Sequence, residues 1–173
     1  MTHYKSENEI WLVCAKKHTE KPRISYNDPV EEALCFGWID SIVKTIDNDN
    51  FAQRFSVRNN TNNSSRPNKE RLRVLVEEGR VMPEVLEILP DLSEGDFNIA
   101  PDILQAIKAN DTAWINFQGF SAPYIRIRIS YIESGRARPE VTEKRLANFL
   151  RKTEQNKLIR YGGIEKYCRS ANR

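Results

Sequence analysis

Three charged side chains between positions 40 and 58 have residue types and a spacing that suit anion binding or proton transfer. Arg54 and Arg58 stand four residues apart in a stretch of alternating character, so in a strand both project from one face. Two guanidinium groups placed in this way can hold a phosphate or a carboxylate through paired N–H donors. Asp40 is a candidate acid or base beside them, and Trp38 a candidate wall of the cleft. The alternative is an exposed sheet face on which these charges only interact with solvent.

The chain carries no signature of a familiar catalytic class. It has no P-loop, no glycine-rich dinucleotide motif, no HExxH, no GxSxG and no cluster of metal ligands. Cys14, Cys35 and Cys168 form no CxxC pair, and an odd number of unpaired cysteines points to a reducing compartment. Cys35 is expected to be a small buried hydrophobe. The sequence therefore identifies no catalytic residue, no metal site and no cofactor.

Positive charge is concentrated in the last third of the chain. Residues 120–173 carry 13 Lys and Arg against 5 Asp and Glu, whereas residues 1–119 carry 14 against 19. Arginines interleaved with tyrosines can bind nucleic acid or another anionic surface. The same asymmetry can also reflect attraction between the two parts of the chain, or a well-solvated helix. Nucleic acid is thus one candidate partner.

The hydropathy of the chain predicts a cytoplasmic protein. No apolar run approaches the roughly 18 residues that a membrane-spanning helix needs. The polar residues that follow Met1 do not resemble a signal peptide. We therefore expect no membrane span.

A helix predicted over residues 28–37 is the element around which the first part of the chain is organised. Asp28 and Pro29 are typical of a helix start, and Gly37 of a left-handed helix cap. Apolar residues recur along it at intervals of three and four: Val30, Ala33, Leu34 and Trp38. This helix is expected to bury that face against a sheet.

Three predicted strands, at residues 9–17, 41–47 and 51–58, would supply the sheet. The first is apolar on both faces, which predicts a central or doubly covered strand. The other two flank the turn-forming run at 47–50, which predicts a hairpin. The expected fold class is α+β, with a small three-stranded antiparallel sheet and packed helices, followed by an all-helical C-terminal lobe.

The remaining pattern predicts helices and two irregular segments. Helices are expected at 67–78, 101–109, 113–117, 124–134 and 139–155. A polar loop at 59–68 and a basic tail at 158–173 are expected to be irregular. The β-branched content of 124–134 also allows a strand, but isoleucines spaced by four and three favour a helix. We predict an α+β lobe at 1–89, a linker at 90–98 and a helical lobe at 99–173.

The run SYNDPVEEALCFGWIDS at 25–41, with IWLVCAKK at 10–17 before it, resembles the YdeI/OmpD-associated family, also labelled bacteriocin-protection proteins. The second lobe resembles the family's helical OmpD-associated domain. The resemblance implies a basic surface around a turn and its flanking helices: Arg126, Arg136, Arg138 and Arg145. It also places Asn68, at a helix start, among the candidate ligand-binding residues. It implies no particular enzymatic reaction.

Four classes of function remain open at this level. The leading one is a non-catalytic stress or bacteriocin-protection factor that binds a protein partner, as the family label implies. The second is a nucleic-acid-binding module that uses the basic C-terminal lobe. The third is a small-anion binder or enzyme with a cleft near Asp40, Arg54 and Arg58, and the fourth is a purely structural role for every residue named.

Overall fold

A computed structural model describes residues 4–58, 65–89, 91–93 and 97–160 of the 173-residue chain. The described structure divides into two units, Met1–Leu92 and Ser93–Arg173. The predicted polar loop and the predicted linker fall partly outside the described residues, as does most of the predicted basic tail.

The first unit is a three-stranded antiparallel sheet with helices against one face. Its elements are strand β1 Glu9–Ala15, a short 3-10 helix Lys17–Thr19, helix α1 Asn27–Cys35, strands β2 Trp38–Thr45 and β3 Asn50–Val57, and helices α2 Arg66–Glu77 and α3 Pro83–Leu86. The strand order is β1-β3-β2, and β3 pairs antiparallel with both neighbours. The predicted α+β class and three-stranded antiparallel sheet are confirmed.

The prediction that β1 would be central or covered on both faces is wrong, because β1 is an edge strand. Trp11 is 42% exposed and Val13 58% exposed on the face that points away from the core. On that face, Trp11 Nε1 donates to Glu9 Oε1 at 3.2 Å, and Glu9 also pairs with Arg54. On one face of β1 the apolar residues therefore lie beside the ion pair of Glu9 and Arg54, and on the other face they line an open cleft.

The predicted hairpin is confirmed, and an aspartate side chain holds its turn. Asp47 Oδ1 accepts hydrogen bonds from the backbone N–H groups of Asp49 at 2.8 Å and Asn50 at 2.7 Å. This arrangement satisfies amides that the strand ladder leaves unpaired. The pairing register of β2 against β3 shifts between Asp40 and Val43, which indicates a bulge.

Helix α1 begins at Asn27, and the predicted capping role of Asp28 is wrong, since no side chain caps this end. The Asn27 side chain is instead buried and contacts α2. The predicted left-handed cap is confirmed: Gly37 has φ of +75°. A Cβ at this position would meet Val85 Cγ2 at 3.3 Å, so glycine satisfies both the backbone angle and the close contact with α3.

The core of the first unit lies between the sheet and its helices. Its buried residues are Val30, Ala33, Leu34, Cys35, Trp38, Phe55, Leu72, Leu75, Val81 and Val85. The prediction that Cys35 and Trp38 belong to the core is confirmed. Burial raises the pKa of the Cys35 thiol, so this cysteine is a poor nucleophile at neutral pH.

In its described residues the second unit is all-helical. It contains α4 Pro101–Lys108, α5 Asp111–Gln118, α6 Ala122–Glu133 and α7 Pro139–Glu154. The choice of helix over strand for 124–134 is confirmed by α6. Helix α5 has a side-chain cap, because Asn110 Oδ1 accepts from the Ala113 N–H at 2.9 Å. Phe149 lies at the centre, with Phe117 and Tyr124 against it at ring-centroid distances of 6.3 and 6.5 Å.

Two tryptophans of the same sheet should differ sharply in their contribution to stability. Trp38 is 6% exposed, so Trp38→Ala leaves a cavity and should lower the free energy of unfolding by about 3–5 kcal/mol. Trp11→Ala should lower it by about 1 kcal/mol or less, because the indole lies outside the core and is 42% exposed. Urea unfolding followed by circular dichroism measures both, and equal losses would contradict this account of the core.

Candidate functional site

The structure does not bring Asp40 and Arg54 together. Asp40 pairs with Phe55 in the register of β2 and β3, so Arg54 projects from the opposite face of the sheet. Asp40 Oδ2 accepts hydrogen bonds from Tyr26 Oη at 2.9 Å and from Gln53 Nε2 at 3.2 Å. Arg54 Nε donates to Glu9 Oε2 at 2.8 Å. Each charge is thus engaged on its own side of the sheet, and the predicted cleft between them does not form.

Arg58 is not displayed as an open anion clamp with Arg54. It follows β3, where its backbone N–H donates to the Gly37 carbonyl at 3.1 Å. Its side chain is only 9% exposed, and burial lowers the pKa of the guanidinium. Its Nε and Nη2 hydrogen-bond no group in the part of the chain that the structure describes.

Asn68 lies in a buried network that joins two helices. Its Oδ1 accepts from Arg71 Nη1 at 3.0 Å, and Arg71 Nη2 donates to Asn27 Oδ1 at 2.9 Å. All three side chains are buried. This arrangement ties the first turn of α1 to the first turn of α2, so in this structure Asn68 positions helices.

A cleft of about 630 Å³ lies in the first unit between α1 and the core side of β1 and β3. Nine of its twelve described lining residues are aromatic or aliphatic: Tyr4, Ile10, Leu12, Ile24, Pro29, Ala33, Phe36, Trp38 and Phe55. The sheet supplies the floor and α1 one wall. Trp38, predicted as the wall of a cleft, does line one, although neither Arg54 nor Arg58 does.

The other three lining residues are all acidic: Glu7, Asp28 and Glu32. Each is exposed, so the carboxylates form a rim above an apolar floor. Asp28 and Glu32 stand one helical turn apart on α1, which places them on the same side as Ala33 and Phe36. Among the described residues the lining contains no Lys or Arg, so the charged groups of this rim are all negative.

Tyr4 closes one part of the cleft and is held from two sides. Its hydroxyl donates to Glu84 Oε1 at 2.6 Å, and its ring lies 4.8 Å from the ring of Phe36. Lys5 Nζ also contacts Glu84 Oε1, at 2.8 Å. The hydrogen bonds from Lys5 and Tyr4 lower the pKa of Glu84 to about 2. Glu84 of α3 thus holds the Tyr4 ring in place as one wall of the cleft.

The residues of the cleft suit binding better than catalysis. An apolar floor takes up aliphatic or aromatic groups, and a rim of carboxylates attracts cations. Within the described ranges, no three His, Cys, Asp or Glu side chains are placed so that they could hold a metal ion.

The interpretation of the sequence missed Tyr4, Phe36 and the acidic rim of this cleft. The available signal was the spacing of Asp28 and Glu32 beside the apolar face of the same helix.

The predicted basic surface of the second unit is only partly exposed. Arg126 is 4% exposed, so its placement on a surface is wrong, because α6 is buried on nearly every side. Arg136 donates to Asp102 Oδ2 at 2.7 Å and to Oδ1 at 2.9 Å, and these hydrogen bonds raise its pKa. Arg138 is exposed, and Arg145 lies 3.9 Å from the centroid of the Tyr131 ring.

The depressed pKa of Glu84 makes the wall at Tyr4 sensitive to acid. The folded pKa of Glu84 lies below the ordinary value of 4.5. The stabilisation of the folded state by the Glu84 contacts is therefore complete above pH 4.5, and it disappears as the pH falls towards about 2. NMR titration of the Glu84 carboxyl should give this low pKa. Lys5→Met should raise it, whereas Lys21→Met should not. An ordinary pKa in the unsubstituted protein would contradict the geometry at Tyr4.

No helix within the described residues combines the length and apolar character needed to cross a membrane.

No curated protein and no solved structure matches the chain. One family model, described as "Domain of unknown function (DUF8412)", matches residues 1–88 and so includes the run at 25–41. A second, described as "Bacteriocin-protection, YdeI or OmpD-Associated", matches residues 96–156 and confirms the predicted resemblance. Since the first model covers half of the chain, the protein belongs to the DUF8412 family, and it carries a YdeI/OmpD-associated segment at residues 96–156.

Proposed function

We propose that this protein is a non-catalytic binding protein whose first unit captures a segment of a protein partner in the cleft beside α1. The observation that carries the proposal is a cleft of about 630 Å³ with an aromatic and aliphatic floor and a rim formed by three carboxylates. Ligand sites are concave, mostly apolar and furnished with a few polar groups that set orientation. The cleft has this composition.

The apolar floor would supply most of the affinity. Burying one Leu, Ile or Phe side chain contributes roughly 1.5–3 kcal/mol, and the cleft has room for more than one. Its walls are held in place before any ligand binds, since Trp38 and Phe55 are core residues and Tyr4 is tied to Glu84. Preformed walls reduce the entropic cost of binding.

The acidic rim would select the charge of the partner. Glu7, Asp28 and Glu32 favour Lys or Arg next to the apolar side chains that enter the cleft. A partner with Asp or Glu at the same places would be repelled. The class of ligand is therefore a protein segment with apolar side chains flanked by basic residues.

The family description supplies the context for this activity. The C-terminal match names bacteriocin protection, and we propose that partner binding serves such a protective, stress-related role. We also propose a cytoplasmic location, for which the free cysteines Cys14 and Cys35 are the support. Nucleic-acid binding has less support, because Arg126 is buried and Arg136 is paired with Asp102.

Charge selection at the rim is tested with a fluorescein-labelled amphipathic peptide of Leu and Lys, and with its Leu and Glu counterpart. The Lys peptide should bind and the Glu peptide should not. The triple variant Glu7→Gln, Asp28→Asn, Glu32→Gln should weaken binding by about tenfold, equivalent to about 1.4 kcal/mol. The matched control Glu20→Gln, Glu77→Gln, Glu87→Gln removes the same charge from exposed positions that do not line the cleft. An equal loss of affinity in the two triple variants would contradict the proposed role of the acidic rim.

The apolar contribution is tested with two isoleucines that are about equally exposed. Ile24 is 57% exposed and lines the cleft, whereas Ile42 is 53% exposed and does not. Ile24→Ser should weaken binding of the Lys peptide by about three- to tenfold, the loss of part of one apolar contact, while Ile42→Ser should leave it unchanged. Fluorescence anisotropy measures both, and circular dichroism checks the fold. An unchanged affinity in Ile24→Ser would place the peptide elsewhere.

A further inference from the structure

A second pocket, of about 160 Å³, lies between α6 and α7 in the second unit. Among its eight described lining residues, three are cationic, Arg128, Lys144 and Arg145, and none is acidic. Asn148 adds an amide. Lys144, Arg145 and Asn148 lie close together on α7, and such a group of donors is typical of an anion site.

The geometry of the two helices produces this convergence. Arg128, Tyr131 and Ile132 are spaced by three and four on α6, so they share one face. Lys144 and Asn148 share a face of α7 in the same way, with Arg145 beside them. Ile132 and Phe149 are each 1% exposed and line the pocket as its apolar floor. Charged groups above a dry floor interact more strongly with a ligand than the same groups in water.

Arg145 is oriented before any ligand arrives. Its guanidinium lies 3.9 Å from the centroid of the Tyr131 ring, and Nη1 donates to the Tyr131 carbonyl at 2.6 Å and to Ser134 Oγ at 2.9 Å. Within the described part of the chain, Nε and Nη2 of this guanidinium have no hydrogen-bond partner. Three N–H groups on these two nitrogens therefore remain for a ligand, while the contacts of Nη1 fix the direction of the guanidinium.

Gly135 is closely packed beside this arrangement. A Cβ at this position would meet Thr142 Oγ1 at 3.0 Å and the Ile132 carbonyl oxygen at 3.2 Å, and would lie in ordinary contact with Arg145 Nη1 at 3.4 Å. The turn between α6 and α7 therefore favours glycine because of Thr142 and Ile132.

The other two cations differ in exposure. Arg128 is 4% exposed, and its guanidinium lies 5.6 Å from the centroid of the Tyr124 ring. Lys144 is exposed and forms no ion pair with any described residue. A ligand at the mouth of the pocket therefore meets Lys144 and the oriented guanidinium of Arg145.

We propose that this pocket binds a phosphate group, either as free phosphate or as the terminal group of a small phosphomonoester. Phosphate carries about −1.5 to −2 charges at neutral pH and three acceptor oxygens, which match the two cations Lys144 and Arg145 and the amide of Asn148. A carboxylate carries one charge and would balance only one of these two cations. The volume corresponds to about five water molecules at about 30 Å³ each, which suits a compact anion.

Phosphate binding is tested by NMR titration of the full-length protein with inorganic phosphate, glycerol 3-phosphate, sulfate and acetate at constant ionic strength. Saturable shifts of α6 and α7 amides are expected with phosphate, and at least about tenfold weaker binding with acetate. Tighter binding of glycerol 3-phosphate than of phosphate would assign the site to a monoester, and the reverse order to free phosphate. No saturable shift with either, or acetate equal to phosphate, would overturn the proposal.

Variants locate the site within the second unit. Lys144→Met should weaken phosphate binding by about three- to tenfold, and Arg145→Lys should do the same because the paired N–H donors are lost while the charge stays. Lys157→Met, an exposed lysine outside the pocket lining, is the matched control and should bind as the unsubstituted protein does. Since both test residues lie towards solvent, circular dichroism should show an unchanged fold. Equal weakening by Lys144→Met and Lys157→Met would overturn this assignment.

Discussion

The architecture of the first unit follows from the length of one helix. Helix α1 has 9 residues, which span about 14 Å at about 1.5 Å per residue. Strands of 7 and 8 residues span about 23–27 Å, so α1 cannot cover the core side of all three. It packs beside β2 and against α2, at one side of the sheet. The core side of β1 is left as the floor of a cleft, and the acidic face of α1 becomes its rim.

Polar contacts in the interior keep α1 at this position. Arg71 reaches from α2 to Asn27 at the start of α1, and Asn68 shares the same guanidinium. A buried cation without such acceptors would be strongly destabilising, so the network is specific to one placement of the two helices. At the other end of α1, Gly37 turns the chain into β2 in contact with Val85. The helix is thus fixed at both ends, and with it the wall of the cleft.

The two units use charge in opposite ways. In the first, carboxylates of α1 and of the segment before β1 surround an apolar floor. In the second, arginines are part of the interior: Arg126 and Arg128 are buried on α6, and Arg145 is stacked on an aromatic ring. Among the described residues, the uneven distribution of charge along the sequence is thus reflected in two concavities, one with a rim of carboxylates and one lined by cations. The Arg136 guanidinium does not line the second, and it is paired with Asp102.

Features that depend on neighbouring residues could be predicted from the amino-acid sequence. The hairpin, the left-handed cap at Gly37, the helical state of α6 and the burial of Trp38 and Cys35 were all predictable, because turn formers and apolar periodicity act over a few residues. Which faces of these elements are covered became clear from the packing of the folded chain. The contact from Tyr4 to Glu84 joins residues 80 positions apart, and strand parity separates Asp40 from Arg54. Local patterns specify where an element forms, whereas the choice of covered face depends on contacts between distant segments that no local pattern encodes.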